Sequence, residues 1–139
     1  MAEAAGVLRT DKDAPLPRRL SVLMTDLRSL LTELQPDAVA VEKVFFQTNV
    51  RTAMSVGQAS GLALALADEM GCDVAEYTAN EVKAIVAGYG AASKDQVQRM
   101  VQAQLGLSEV PRPPDAADAL ALALTHATLG PRRDRLATA

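Results

Sequence analysis

A chain of 139 residues, 49% of them apolar, suits one domain with a single modest core and excludes wholesale disorder; none of its apolar runs approaches the roughly 20 residues that cross a bilayer. A lone cysteine, Cys72, excludes an internal disulfide and fits a reducing, cytoplasmic setting, and a lone histidine, His126, argues against a structural zinc site. The formal charge of -3 weighs against a nucleic-acid partner without deciding the matter, because carboxylates gathered in a metal site offset basic residues on a binding face.

The opening Met1-Ala2-Glu3-Ala4-Ala5 lacks the basic n-region of a secretory signal. Residues 5–10 read as a short strand, and Asp11 to Pro17 as a polar connector. Leu16, Leu20, Leu23, Leu27, Leu30, Leu31 and Leu34 recur at helical spacing, which predicts an amphipathic helix ending near Pro36 with its leucine stripe in the core. Ala38-Val39-Ala40-Val41 is a continuous apolar run of the kind found in a strand buried on both faces, and Glu42 ends it. A second helix is predicted over 49–70. Its small residues Ala53, Gly57, Gly61 and Ala65 form one side, a seam for either a dimer partner or the sheet.

Residues 73–77 read as a second strand. Thr78-Ala79-Asn80-Glu81 has capping-box spacing, as does Ser93-Lys94-Asp95-Gln96, which starts a helix ending near Leu105. After a proline-containing connector at 108–114, a last helix is predicted from about Asp115 to Leu129, followed by a basic, disordered tail over 130–139. Strands alternating with helices indicate an α/β domain over 1–129.

Three carboxylates stand out. A glutamate closing an apolar strand is costly unless it is paired or bound to a cation, and the carboxyl ends of strands are where α/β sheets place ligands. Glu42 therefore reads either as an exposed strand-end residue or as a ligand. Asp115 and Asp118, three apart at a helix start, share one face. Asp115 is also explained as a complement to the helix dipole. Asp118 is less so, since the apolar series Ala119 to Leu124 follows it. Converging carboxylates suit hard cations such as Mg²⁺, and two such ions promote phosphodiester hydrolysis.

Ala40-Val41-Glu42-Lys43-Val44-Phe45, Gly57-Gln58-Ala59-Ser60-Gly61, Glu76 to Lys83, Gly88-Tyr89-Gly90, Lys94-Asp95-Gln96-Val97 and Asp115 to Ala121 follow one another as the corresponding stretches do in RuvC-type Holliday junction resolvases. The chain resembles that family from about residue 5 to residue 129. The resemblance implies a ribonuclease H-like mixed sheet flanked by helices. It also implies a homodimer that binds four-way junction DNA and nicks it symmetrically with Mg²⁺, two ions per site, alongside a branch-migration complex of the RuvAB type. Glu42, Asp115 and Asp118 match three of the family's four acidic metal ligands. Lys83 and Lys94 match lysines that approach phosphate, and Phe45 matches an aromatic that stacks on a base. Scarce aromatics make the Phe45-Phe46 pair unusual, and Phe46 competes with Phe45 for that role.

The family opens on a strand with an Ile-Gly-Ile-Asp-Pro-Gly-like motif whose aspartate is the fourth ligand, and no segment here matches it. The first two strands of the family fold are expected to be absent, with Asp11 and Asp13 no substitute because they sit in a polar connector. That would leave the Ala38–Val41 edge unpaired and catalysis short of one ligand. The expectation is of an active protein whose true start lies upstream. The alternative is a truncated, inactive fragment that at most dimerises or binds junction DNA.

Overall fold

The computed structural model describes the backbone at residues 2–43 and 50–138, with side chains described at 2–43 and 57–130. Its elements, in chain order, are α1 (Leu16–Leu34), β1 (Ala38–Glu42), α2 (Val50–Glu69), β2 (Asp73–Tyr77), α3 (Ala79–Ala87), α4 (Lys94–Leu105) and α5 (Pro114–Thr138). Contacts divide the chain into two compact units, one made of Leu8–Glu76 and the other of Met1–Val7 with Tyr77–Ala139.

In the first unit, α1 begins with Pro17 in its opening turn, where a missing N–H breaks no helical bond. It closes on Gln35 in the left-handed region, whose N–H donates to the Leu31 carbonyl. β1 and β2 pair as a two-stranded sheet. The Asp73 amide donates to the Asp37 carbonyl, so the two strands start side by side and run in the same direction. With α2 as the crossover, this is a strand–helix–strand unit. α1 packs on α2, and α2 on β1. The Cys72 thiol donates to the Pro36 carbonyl at 3.4 Å, tying the start of β2 to the turn before β1.

One sequence expectation fails in this unit, and of the two alternatives for another only one remains. No side chain of α1 is buried, and Leu16, Leu30 and Leu34 are exposed. The leucine stripe is wider than a single helix contact covers, so packing on α2 leaves much of it open. The small-residue side of α2 is not a seam against the sheet either. Gly57, Gly61 and Ala65 are exposed, and a β-carbon added at either glycine meets nothing within 4 Å. A further expectation also fails, because residues 5–10 form neither strand nor helix. A strand exists only through its partner's hydrogen bonds, and no such partner lies among the described residues.

The second unit holds most of the described core. Tyr77, Val86, Val101, Ala116, Ala117, Ala121 and Thr125 are nearly or fully inaccessible, where α3, α4 and α5 pack on one another. Both capping boxes form as predicted. Thr78 Oγ1 accepts from the Glu81 amide while Glu81 Oε1 accepts from the Thr78 amide, and Ser93 and Gln96 reciprocate in the same way. α3 and α4 end on Gly88 (φ 90°) and Gly106 (φ 64°), left-handed positions that favour glycine. α5 runs to Thr138, so the expected boundary after residue 129 falls inside the helix; the arginine, leucine and alanine of this stretch are good helix formers.

Candidate functional site

Two of the three predicted carboxylates come together at the head of α5. Asp115 lies in its first turn, where its charge complements the helix dipole, and Asp118 follows one turn on. Asp115 is exposed and Asp118 half-buried, even though Ala116 and Ala117 between them are buried. The burial pattern thus rotates the helix so that its alanines face the core and its carboxylates face outward, open to a hydrated ion.

Lys94, the first residue of α4, reaches this pair. Its Nζ lies 3.3 Å from Asp118 Oδ2, with both side chains substantially exposed. A pair this open adds little to stability, but it carries a cation to the edge of an acidic site. Ser93 caps the same end of α4, with Gln96 Oε1 accepting from the Ser93 amide at 2.8 Å and from the Tyr89 hydroxyl at 2.6 Å. The capping box thereby fixes both Lys94 and the loop carrying Gly88-Tyr89-Gly90. Lys83 lies half-buried on α3 of the same unit.

Glu42 is the exposed last residue of β1 and belongs to the other unit. It stands at the carboxyl end of a strand pair, as its position in the sequence implied. Phe45 and Phe46 lie outside the described residues. Asp11 does what a connector residue does: its Oδ1 accepts from the Asp13 amide and its carbonyl from the Ala14 amide.

All the ligand candidates offer carboxylate oxygen, the donor chemistry of Mg²⁺ and similar hard cations rather than of zinc. Within neither unit do three or more His, Cys, Asp or Glu side chains among the described residues gather closely enough to hold a metal ion. Asp115 and Asp118 offer two carboxylates toward such a set, and holding an ion for hydrolysis would need further ligands.

Sequence reasoning missed one pairing. The Tyr77 hydroxyl lies 2.7 Å from His126 Nδ1, linking the end of β2 to the middle of α5. Forty-nine residues separate the partners, and the available signal was faint: a single histidine, two helical turns beyond Asp118.

Residues 2–126 match the family described as crossover junction endodeoxyribonuclease RuvC. A protein of that name from Moorella thermoacetica is 52% identical over 128 residues, covering 92% of this chain and 77% of the relative. One from Salinispora arenicola is 53% identical over 133 residues, covering 96% and 76%. Among solved structures, Thermus thermophilus RuvC superposes with a TM-score of 0.83 at 40% identity, covering 91% of this chain and 76% of that one. The same protein in complex with a Holliday junction substrate gives 0.80 at 42% identity, with 86% and 72% covered.

Proposed function

The chain belongs to the RuvC family of crossover junction endodeoxyribonucleases, and from that premise we propose that it resolves Holliday junctions by nicking four-way DNA in recombination and repair. The observation that carries this reading is the Asp115–Asp118 pair at the open head of α5, set in a chain that matches the family over 2–126.

Asp115 and Asp118 are residues that would hold the metal, Mg²⁺ and two ions per site, and Glu42 matches a further acidic ligand of the family. When bound, such ions supply a nucleophilic water and stabilise the leaving oxygen of the phosphodiester. The chain's own part is to bind and orient. Asp115 and Asp118 are held one turn apart on a rigid helix, which keeps their spacing fixed. Lys94 and Lys83 contact backbone phosphate as point charges, and Phe45 stacks on a base near the junction centre. Lys94 has a second part: it pairs with Asp118, so turning to a phosphate would leave that carboxylate oxygen open to an ion.

The working form is a homodimer, one subunit per nicked strand, acting in the cytoplasm with a branch-migration complex of the RuvAB type. The open Gly57, Gly61 and Ala65 side of α2 allows close approach of a second copy.

A synthetic four-way junction incubated with Mg²⁺ should be cut at paired positions on opposite strands once the acidic ligand set is complete, while linear duplex of the same sequence stays intact. Equal cutting of both substrates would refute the assignment.

Lys94→Gln should weaken junction binding similarly across junction sequences. It should also reduce the slope of log affinity against log salt by about 0.9, the value for one lost phosphate contact on duplex DNA. Fluorescence anisotropy across a salt series checks it, and an unchanged slope would remove Lys94 from the DNA face.

A further inference from the structure

α5 carries the acidic pair at its head, so whatever fixes the helix along its axis also fixes the pair. Much of its buried surface does this poorly. Ala116, Ala117 and Ala121 are almost inaccessible, and methyl groups permit close approach but give neighbouring ridges little to interlock with; Leu120 is the one large apolar side chain buried beside them among the described residues, and its packing is not directional. Thr125 is fully buried, yet its hydroxyl donates to the Ala121 carbonyl of its own helix at 2.8 Å. That bond ties α5 to itself and not to another element.

The Tyr77–His126 bond is directional. Tyr77 is fully buried, its oxygen lies 2.7 Å from Nδ1, and the two rings stand 5.9 Å apart at 55°. The His126 ring is also confined from its own helix. A β-carbon at Gly130 would sit 2.8 Å from Cε1, 3.0 Å from Nε2 and 3.1 Å from Nδ1. Glycine is unfavourable in a helix interior, and here it leaves the space that the imidazole fills. His126 follows Asp118 by eight residues, about 12 Å along a helix rising 1.5 Å per residue. A helix is stiff over that distance, so a slip or rotation at His126 reaches Asp118 undiminished.

We propose that Tyr77, His126 and Gly130 form a latch that sets the register of α5 and thereby positions Asp115 and Asp118 for divalent metal. Tyr77 and His126 are positioning residues that act through the helix. The inference rests on reading the acidic pair as metal ligands, and it concerns metal affinity rather than turnover.

The test is direct Mn²⁺ binding to the DNA-free protein, read from the electron paramagnetic resonance signal of free Mn²⁺, with melting temperature followed in parallel. Asp115→Asn, which removes a proposed ligand, identifies the bound ion as the one at this pair. Tyr77→Phe keeps the ring and deletes only the hydroxyl. Tyr77→Phe, His126→Ala and Gly130→Ala should each weaken Mn²⁺ binding by about two- to twelvefold, the range spanned by the net worth of one hydrogen bond. His126→Asn, whose amide can stand where Nδ1 stands, should restore most of it. Val82→Ala, a core truncation on α3 that leaves Tyr77, His126 and Gly130 intact, should lower the melting temperature without changing Mn²⁺ affinity.

The proposal is overturned if wild type binds no Mn²⁺ at this pair, or if Tyr77→Phe or His126→Ala binds it as wild type does. It is likewise overturned if His126→Asn is as weak as His126→Ala, or if Val82→Ala weakens binding as much as the latch variants. The nuclease reading fails separately: a protein that shows the Mn²⁺ pattern and cuts linear duplex as readily as junctions retains the latch and loses the assignment.

Discussion

Asp118→Asn is expected to slow single-turnover cleavage of a four-way junction by at least about 100-fold, because a metal's charge stabilisation is worth several kcal/mol and each 1.36 kcal/mol is a factor of ten. Junction affinity, measured without divalent metal, should stay within about twofold, since base and phosphate contacts do not depend on this carboxylate. Asn is the informative replacement. It matches the aspartate in size and keeps an oxygen that can accept from Lys94 Nζ, now 3.3 Å from Asp118 Oδ2, while removing the charge an ion requires. Asp118 is also a cleaner choice than Asp115. Asp115 lies in the first turn of α5, where loss of its charge would weaken the helix start as well as the site. Cleavage at the wild-type rate would remove Asp118 from the ligand set. Parallel loss of cleavage and binding would make it a residue of the DNA face instead.

The same comparison explains which parts of the site were legible in the sequence. The acidic pair and both capping boxes were, because their geometry is local. Three residues span one helical turn, and a side chain that bonds the backbone three positions away leaves a fixed spacing behind it. β1 was legible for a similar reason, as a short apolar run bounded by breaks, and β2 as a short stretch between Gly71 and the Thr78 cap. What failed depended on how much neighbouring surface each element meets. The leucine period in α1 correctly gave a helix, but period says which side is apolar and not how much of it is covered. Gly57 and Gly61 likewise marked a smooth side of α2 without saying what lies against it. Residues 5–10 have strand-like composition but no partner among the described residues. The Tyr77–His126 bond joins positions 49 apart, and its dependence on Gly130 appears only once the imidazole is placed.

Tyr77→Ala is expected to cause the largest loss of stability among single changes in the second unit. The side chain is fully inaccessible, and truncating a buried aromatic to alanine removes about 3 to 5 kcal/mol through lost transfer energy and the cavity left behind. Native stability is only about 5 to 15 kcal/mol in total, so such a variant keeps little margin. For a chain of 139 residues, roughly 3 to 5 °C is lost per kcal/mol, which corresponds to a fall in melting temperature of roughly 9 to 25 °C. Tyr77→Phe should lose only about 0.5 to 1.5 kcal/mol, the net worth of the hydroxyl's bond. The gap between the two variants separates the ring's work from the oxygen's: the ring fills the core beneath α5, and the oxygen holds His126. Urea unfolding followed by circular dichroism measures both. If Tyr77→Ala were no worse than Tyr77→Phe, the ring would not be filling that core, and the hydrogen bond to His126 would account for everything Tyr77 contributes.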